Sequence, residues 1–270
     1  MFPTRFSHRP LAGFADRRCC PNIHHTLAYT ASIANTGNVD TAPVPDGIVA
    51  IQNAHFMFED DHPLLYGYAQ STTIQRARIV TPKLRQISLP FVRPIRLGTV
   101  PGAEPRVADY RDRPLVLRQR EEFAVEISQG GAGAEQATAI FGLAWPSMGM
   151  APNGDVVTFR GTSVTAAGVN TWTLITMTFA DILPWGDYVV VGAAGIGTTS
   201  MAYRFTFENQ FPRPGVIANA AAGDQQHSMF RNGGLGVFGR FHSTRMPLVE
   251  VFASTAIVVH EVYLDLIRVG

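Results

Sequence analysis

The stretch DYVVVGAAGIGTTSMAYRFTF, residues 187–207, decides the fold because it admits two incompatible readings. Its first half has the form of a strand entering a glycine-rich phosphate loop. Gly192 and Gly197 have the spacing of such a loop, but Thr198 stands where the phosphate-binding lysine belongs. A phosphate loop also needs a helix behind it, whose N-terminus receives the anion. The next residues are instead SMAYRFTF, in which Met201, Tyr203, Phe205 and Phe207 alternate with Ala202, Arg204 and Thr206. That period of two is a strand. The segment therefore reads as two strands joined by a glycine-rich turn, and nucleotide binding loses its motif.

Working outward, β character extends in both directions. Downstream of residue 113 come LVLRQREEFAVEIS, ATAIFGLAW, DVVTFRGTSVT, WTLITMTFA, DYVVVGA, MAYRFTF, VFGRFHS, LVEVFAS and VVHEVYLDLIRV, divided by turn formers such as APNGD, TAAGVN and LPWGD. These give roughly eight or nine strands, the number a jelly roll needs. Upstream, TLAYTASIA, GIVAIQNAHFMF and PLLYGYA are apolar or alternating runs separated by NTGNVDTAPVPDG and EDDHP. The segment AQSTTIQRARI predicts one short helix near residues 71–80, with Ser71 or Thr72 as N-cap and Ile74, Ala77 and Arg78 at helical spacing, ending before Pro82. Pro90, Pro94, Pro101, Pro105 and Pro114 favour an edge strand and a connecting segment, which places a domain boundary near residue 112. The chain is expected to be all-β, with two antiparallel β-sandwich (jelly-roll) units. Residues 1–25 read as an extended arm, 26–112 as the first unit and 113–270 as the second.

Composition limits the function. Of the 270 residues, 46% are apolar and only 16% charged, which excludes a disordered chain and suits one that buries much of its surface. No apolar run reaches the length of a membrane-spanning helix, and the N-terminus lacks the apolar core of a secretion signal. Net charge is +1 but uneven: residues 76–120 hold eleven basic side chains against Glu104, Asp109 and Asp112, whereas residues 121–270 hold twelve acidic side chains against seven arginines. The arm carries Arg5, Arg9, Arg17 and Arg18, candidates for contact with phosphates or with a neighbour's acidic face. The two cysteines, Cys19 and Cys20, are adjacent, so there is no disulfide framework and no spaced zinc-ligand pair beside His24 and His25.

Three clusters invite chemical readings. His55, Glu59, Asp60, Asp61 and His62 are the densest group of ion ligands, but they lack the glycine and the spacing of a calcium loop, and a polar turn after a strand explains them. Whether His55, Asp60, Asp61 and His62 hold an ion stays open. Glu121, Glu122 and Glu126 offer the carboxylates of a glycosidase, and Trp145, Trp172 and Trp185 offer sugar-stacking surfaces. Yet Glu122 and Glu126 alternate with Phe123, Val125 and Ile127 as on a solvated strand face. There is no G-x-S-x-G nucleophile elbow. The third cluster lies in residues 208–251, where a glycine- and alanine-rich loop leads into FRNGGLGVFGRF. Long ordered loops are usually functional. With no acid–base group beside it, this one reads as packing surface against another copy, through Arg213, Phe230, Arg231, Phe238, Arg240 and Phe241.

The order LPWGDYVVVGA, AYRFTF, RPG, FRNGGLGVFGRF, PLVEVF and YLDLIRV, preceded by RQREEFAVEI, resembles the jelly-roll capsid proteins of small tailless icosahedral phages and uncultured viruses, over about residues 83–270. With VAIQNAHFMFE to LPFVRPI completing a first roll, the whole chain is similar to double jelly-roll major capsid proteins. The resemblance implies a structural coat protein rather than an enzyme, located in the virion, with no cofactor and no catalytic residue. It implies partners that are copies of the chain itself, as a trimer or pseudo-hexameric capsomer, and other virion proteins. It also implies contact of the N-terminal arm with genome or an inner membrane. The alternative from another class is a carbohydrate-binding β-sandwich module or glycosidase.

Overall fold

A computed structural model describes residues 22–33, 37–70, 74–81, 91–92, 94–95, 107–112, 114–129, 135–148, 152–219 and 228–270. Apart from six strands of two or three residues, the strands among the described residues fall into two sets of eight. The first set is β1 (Asn22–Ile33), β2 (Gly37–Asp40), β3 (His62–Gln70), β4 (Ile74–Val80), β5 (Phe91–Val92), β6 (Ala108–Asp109), β7 (Ala124–Gln129) and β8 (Glu135–Met148). The second is β9 (Val157–Ser163), β10 (Trp172–Ile175), β11 (Asp187–Ile196), β12 (Ser200–Thr206), β13 (Gly215–Ile217), β14 (Gly239–His242), β15 (Leu248–Ala253) and β16 (His260–Arg268). The sheets of the first set run β6-β3-β8-β1 and β2-β7-β4-β5; those of the second run β14-β11-β16-β9 and β10-β15-β12-β13. Adding eight to each first-set number gives the second set, so one antiparallel connectivity occurs twice. It is that of the jelly roll, in which the eighth strand returns to lie between the first and the third.

Each roll has an interior built by alternation. In β1, Leu27, Tyr29 and Ile33 point into the first core, where they meet Ala137, Ala139, Phe141 and Leu143 of β8 and Phe123, Val125 and Ile127 from the opposite sheet. In β12, Met201, Tyr203 and Phe205 point between the two sheets of the second roll. The Tyr203 ring lies over Gly195 of β11, where an added Cβ would fall 2.1 Å from the ring. The glycines of GAAGIG thus serve packing rather than phosphate binding, and only residues 197–199 form the turn.

Three expectations change. Ile74–Val80 is a strand, not a helix: it pairs with β7, Ala77 and Ile79 are buried in the first core, and Arg78 reaches Glu126 across the ladder at 2.7 Å. The cap candidates Ser71 and Thr72 lie outside the described residues. The single turn Ser228–Phe230 is the only helix among the described residues. The first roll also ends later than residue 112, because β7 and β8 complete its two sheets, and the changeover falls between Met148 and Val157. The proline-rich stretch belongs to the first roll, where Pro94–Ile95 and Leu115–Leu117 add short pairings to β3. The expected arm also shortens, since β1 begins at Asn22 and His24 and His25 are fully buried.

The outer face of the β6-β3-β8-β1 sheet is buried over β3 and the middle of β8 and β1. Ala28, Tyr66, Tyr68, Ile140 and Ala144 join the apolar cluster of the second roll, and every residue of β3 is buried. A register shift opposite Gly142 and Leu143 leaves Leu65 without a partner on β8 and turns both Leu65 and Tyr66 toward this face, as a β-bulge does. Gly142 lies beneath the Tyr66 ring, where a Cβ would sit 1.9 Å from it. Gly142→Ala is expected to displace Tyr66 and lower stability by about 1–3 kcal/mol, which a fall in the thermal unfolding midpoint will register.

Candidate functional site

The seam between the two rolls gathers five buried polar side chains, His24, His25, Thr26, Asp46 and Arg204. It is made by β1, Tyr66 of β3 and the turn at residues 44–49 after β2 from one side, and by β12, β13, β15 and the segment before β13 from the other. Main-chain groups bridge it directly: Thr26 N donates to Arg213 O at 2.9 Å. Side chains then complete it. The Arg213 amide donates to Nδ1 of His25 at 2.8 Å, which leaves Nε2 as the protonated nitrogen, and Nε2–H donates to Asp46 at 2.5 Å. The second carboxylate oxygen of Asp46 accepts the Ile48 and Val49 amides, each at 2.9 Å, and Nη1 of Arg213 donates to the Asp46 carbonyl at 2.6 Å.

Beside this lies a charge pair. Arg204, nearly wholly buried on β12, faces Glu250 on β15 through Nε at 2.7 Å and Nη2 at 3.1 Å, and its guanidinium carbon stands 4.1 Å above the Trp172 ring. Arg213 approaches the same carboxylate at 3.5 Å. A bidentate pair over an aromatic face is a geometry that arginine supports and lysine does not.

His24 closes the seam. Its Nε2 is 3.0 Å from the Gly215 amide and 2.8 Å from the Gly215 carbonyl, and it serves one of them at a time. The Tyr66 hydroxyl donates to the same carbonyl at 3.1 Å and lies 3.0 Å from Thr26 Oγ1. The His24 ring packs edge-on against Tyr66 and Phe238, and its Nδ1 has no partner. Burial pushes the His24 imidazole down from 6.5 to about 4, with His25 adding to the effect. Burial also lowers His25, and the neighbouring Arg204 and Arg213 oppose its protonation further, against the pull of Asp46. Burial alone would raise the Asp46 carboxyl, but hydrogen bonds from His25 and the two amides hold it below its ordinary value.

The residues expected to contact another copy are mostly inside this chain. Phe230 is buried against Tyr66, Phe238 against His24 and Phe205, and Phe241 is stacked on Tyr188. Arg231 pairs with the fully buried Asp265 through two contacts of 2.6 Å, pinning residues 228–238 onto the outer face of the second roll. Arg213 belongs to the seam. Of the six, Arg240 alone is exposed. The correction has a plain cause: an aromatic, sparsely charged loop looks the same in sequence whether its partner is another chain or another part of its own. Arg5, Arg9, Arg17 and Arg18 lie outside the described residues.

The other clusters disperse. Asp61 holds Arg118 at 2.6 Å and the Gln119 amide at 2.8 Å, Glu59 faces Arg120, His62 is buried between Phe58 and Trp145, and His55 contacts its own hairpin at Asn53. Among the described residues no group of three His, Cys, Asp or Glu side chains is placed to hold a metal. Glu126 is engaged by Arg78, and Glu121 accepts the Arg118 amide at 2.9 Å. Trp145 packs between His25 and His62, and Trp172 lies under Arg204. Trp185 is 73% exposed, with His242 against its ring and Arg268 holding its carbonyl at 2.6 Å. No helix is long and apolar enough to cross a membrane among the described residues. Sequence reasoning misses the seam because its members are scattered from His24 to Glu250; the pair HH inside an otherwise apolar strand is its one local signal.

Comparison with models of known protein families, with curated proteins and with solved structures gives no match.

The seam should respond to acid. Unfolded, His24 takes up a proton near 6.5; folded, it does so only near 4, so its contribution is complete above about pH 6.5 and falls as pH drops toward 4. At about 1.4 kcal/mol per pH unit the loss from His24 is on the order of 3 kcal/mol. Urea unfolding at pH 7.5, 6 and 5 is expected to show this slope, and His24→Gln to reduce it while His25 maintains the remainder. Glu250→Gln leaves Arg204 buried without its counter-charge and is expected to cost about 3 kcal/mol in the same assay at pH 7.5.

Proposed function

We propose that this chain is a structural coat protein of the double jelly-roll kind, which self-assembles into an icosahedral shell enclosing a genome. The observation that carries the reading is the repetition of one eight-strand connectivity in two rolls of a single chain, locked side by side by a polar seam. A chain built in this way offers its neighbours two sandwiches of like outline. Three copies about an axis then present six, which is a trimeric or pseudo-hexameric capsomer. Fold alone does not assign function. The distribution of surface adds to it: Ile182, Trp185 and Phe211 are 96%, 73% and 79% exposed at one end of the second roll, more apolar side chain than a solitary domain has reason to show. The partners in this reading are copies of the chain and other virion proteins. Arg5, Arg9, Arg17 and Arg18 supply contacts to genome or an inner membrane, and the protein resides in the virion without catalytic or cofactor chemistry.

A carbohydrate-binding module is the second reading, and Trp185 is the observation that favours it, since its exposed ring is braced from behind by His242. The two readings separate by self-association. Mass photometry and negative-stain microscopy of the purified protein across salt concentrations are expected to show trimers, hexagonal sheets or shells. A monomer at every concentration and salt overturns the coat-protein reading, and glycan binding abolished by Trp185→Ala would then establish the other.

A further inference from the structure

Among the described residues, the loops at one end of the second roll carry no charged side chain. The three loops, residues 164–171, 197–199 and 254–259, contain only valine, isoleucine, alanine, glycine, threonine, serine and asparagine. They are fastened to one another and to adjoining strands. Ala167 N donates to Ile257 O at 2.8 Å, Asn170 N to Ala253 O at 2.8 Å, Ser254 N to Thr199 O at 3.0 Å, and Thr199 Oγ1 to Thr255 O at 3.1 Å. His260, buried beneath, contacts the Thr165 carbonyl at 3.1 Å and the Tyr203 hydroxyl at 3.1 Å. The loops therefore form a pre-shaped surface that has little left to order on contact.

From this surface project Val164, Val169, Val258 and Val259, which are 84%, 51%, 52% and 64% exposed. The nearest charges on the adjoining strands, Arg160 and Glu261, pair with each other. The opposite end of the same roll differs: there Ile182, Trp185 and Phe211 share the surface with Asp181, Asp187, Glu208, Arg240 and Arg245. Among the described residues, Ile51 is the one exposed large apolar side chain that precedes Val156.

The missing charge selects the occupant. Nucleic acid and anionic bilayers are held by arginine and lysine, and sugars by aromatic faces with polar neighbours; the described loops here have neither. Charge-depleted apolar surface is the composition of an interface core between proteins. A patch that faces its own copy across a symmetry axis sets each of its charges against an equal one, so a patch free of charge is self-complementary without any counter-charge. We propose that this end of the second roll meets the same end of a second copy across a symmetry axis. The proposal rests on the self-assembly reading above and names the surface it uses.

The test is a pair of opposite charges. Val259→Asp and Val259→Lys each place like charges face to face in such a contact, and each is expected to weaken self-association at least tenfold by mass photometry and sedimentation velocity. Mixing the two variants in equal amounts is expected to restore it, which a misfolded variant would not do, and unchanged thermal melts of each variant check the fold independently. Wild-type-like assembly by both variants, or failure of the mixture to recover, overturns this surface while leaving the coat-protein reading standing. A wild-type chain that is monomeric under all conditions overturns both.

Discussion

His25 has two ring nitrogens and both are committed across different covalent distances: one accepts the amide of Arg213, the other donates to Asp46 only 21 residues away. An imidazole that must accept on one side and donate on the other has a single neutral form, and burial removes water as a substitute partner. That requirement fixes where the strand carrying Arg213 and Gly215 lies against β1. It therefore fixes how the second roll sits on the first. Arg204 and Glu250 extend the same logic, since neither charge tolerates burial without the other.

Once the rolls are held there, several strands become buried on both sides. In an antiparallel sandwich one face of each sheet ordinarily meets water. Here β3 and the middle of β8 are buried on both faces, the inner by Leu64 and Phe141 and the outer by Tyr66 and Ile140. The glycine under Tyr66 lets the ring lie flat enough for its hydroxyl to reach across the seam to Gly215. The loop pinned by Arg231 and Asp265 then brings Phe230 and Phe238 over the same region, so packing and polar contacts reinforce one another rather than compete.

Much of the fold is legible in the sequence because strands announce themselves locally. The alternation in residues 200–206 and the apolar runs between turn formers predict β structure that is present. The features that escape local reading depend on distant partners. Ile74, Ala77 and Arg78 have helical spacing, yet Arg78 finds Glu126 48 residues away, and the ladder overrides the local period. Prolines suggest a boundary near 112, but a jelly roll closes only when its last strand returns beside its first, and Leu27 pairs with Phe141. The aromatic loop of residues 228–241 is recognisable as contact surface; which surface it contacts is not a local property. Of the seam, sequence offers the two adjacent histidines and little else.

The seam also orders events during synthesis. The first roll has all eight strands once residue 148 has left the ribosome, whereas Arg213, Gly215 and Glu250 emerge later. Until then the nascent first roll exposes Tyr66, Tyr68 and Ile140 on an uncovered sheet, beside His24 and His25, which still lack Gly215 and Arg213. The second roll itself waits for β16, because that strand lies between β9 and β11. Domains fold as units as they emerge, and uncovered apolar faces are where nascent chains aggregate. The pace of translation through residues 149–268 therefore sets how long the half-made molecule depends on chaperones, and slow codons in that interval would lower yield without altering any contact in the finished protein.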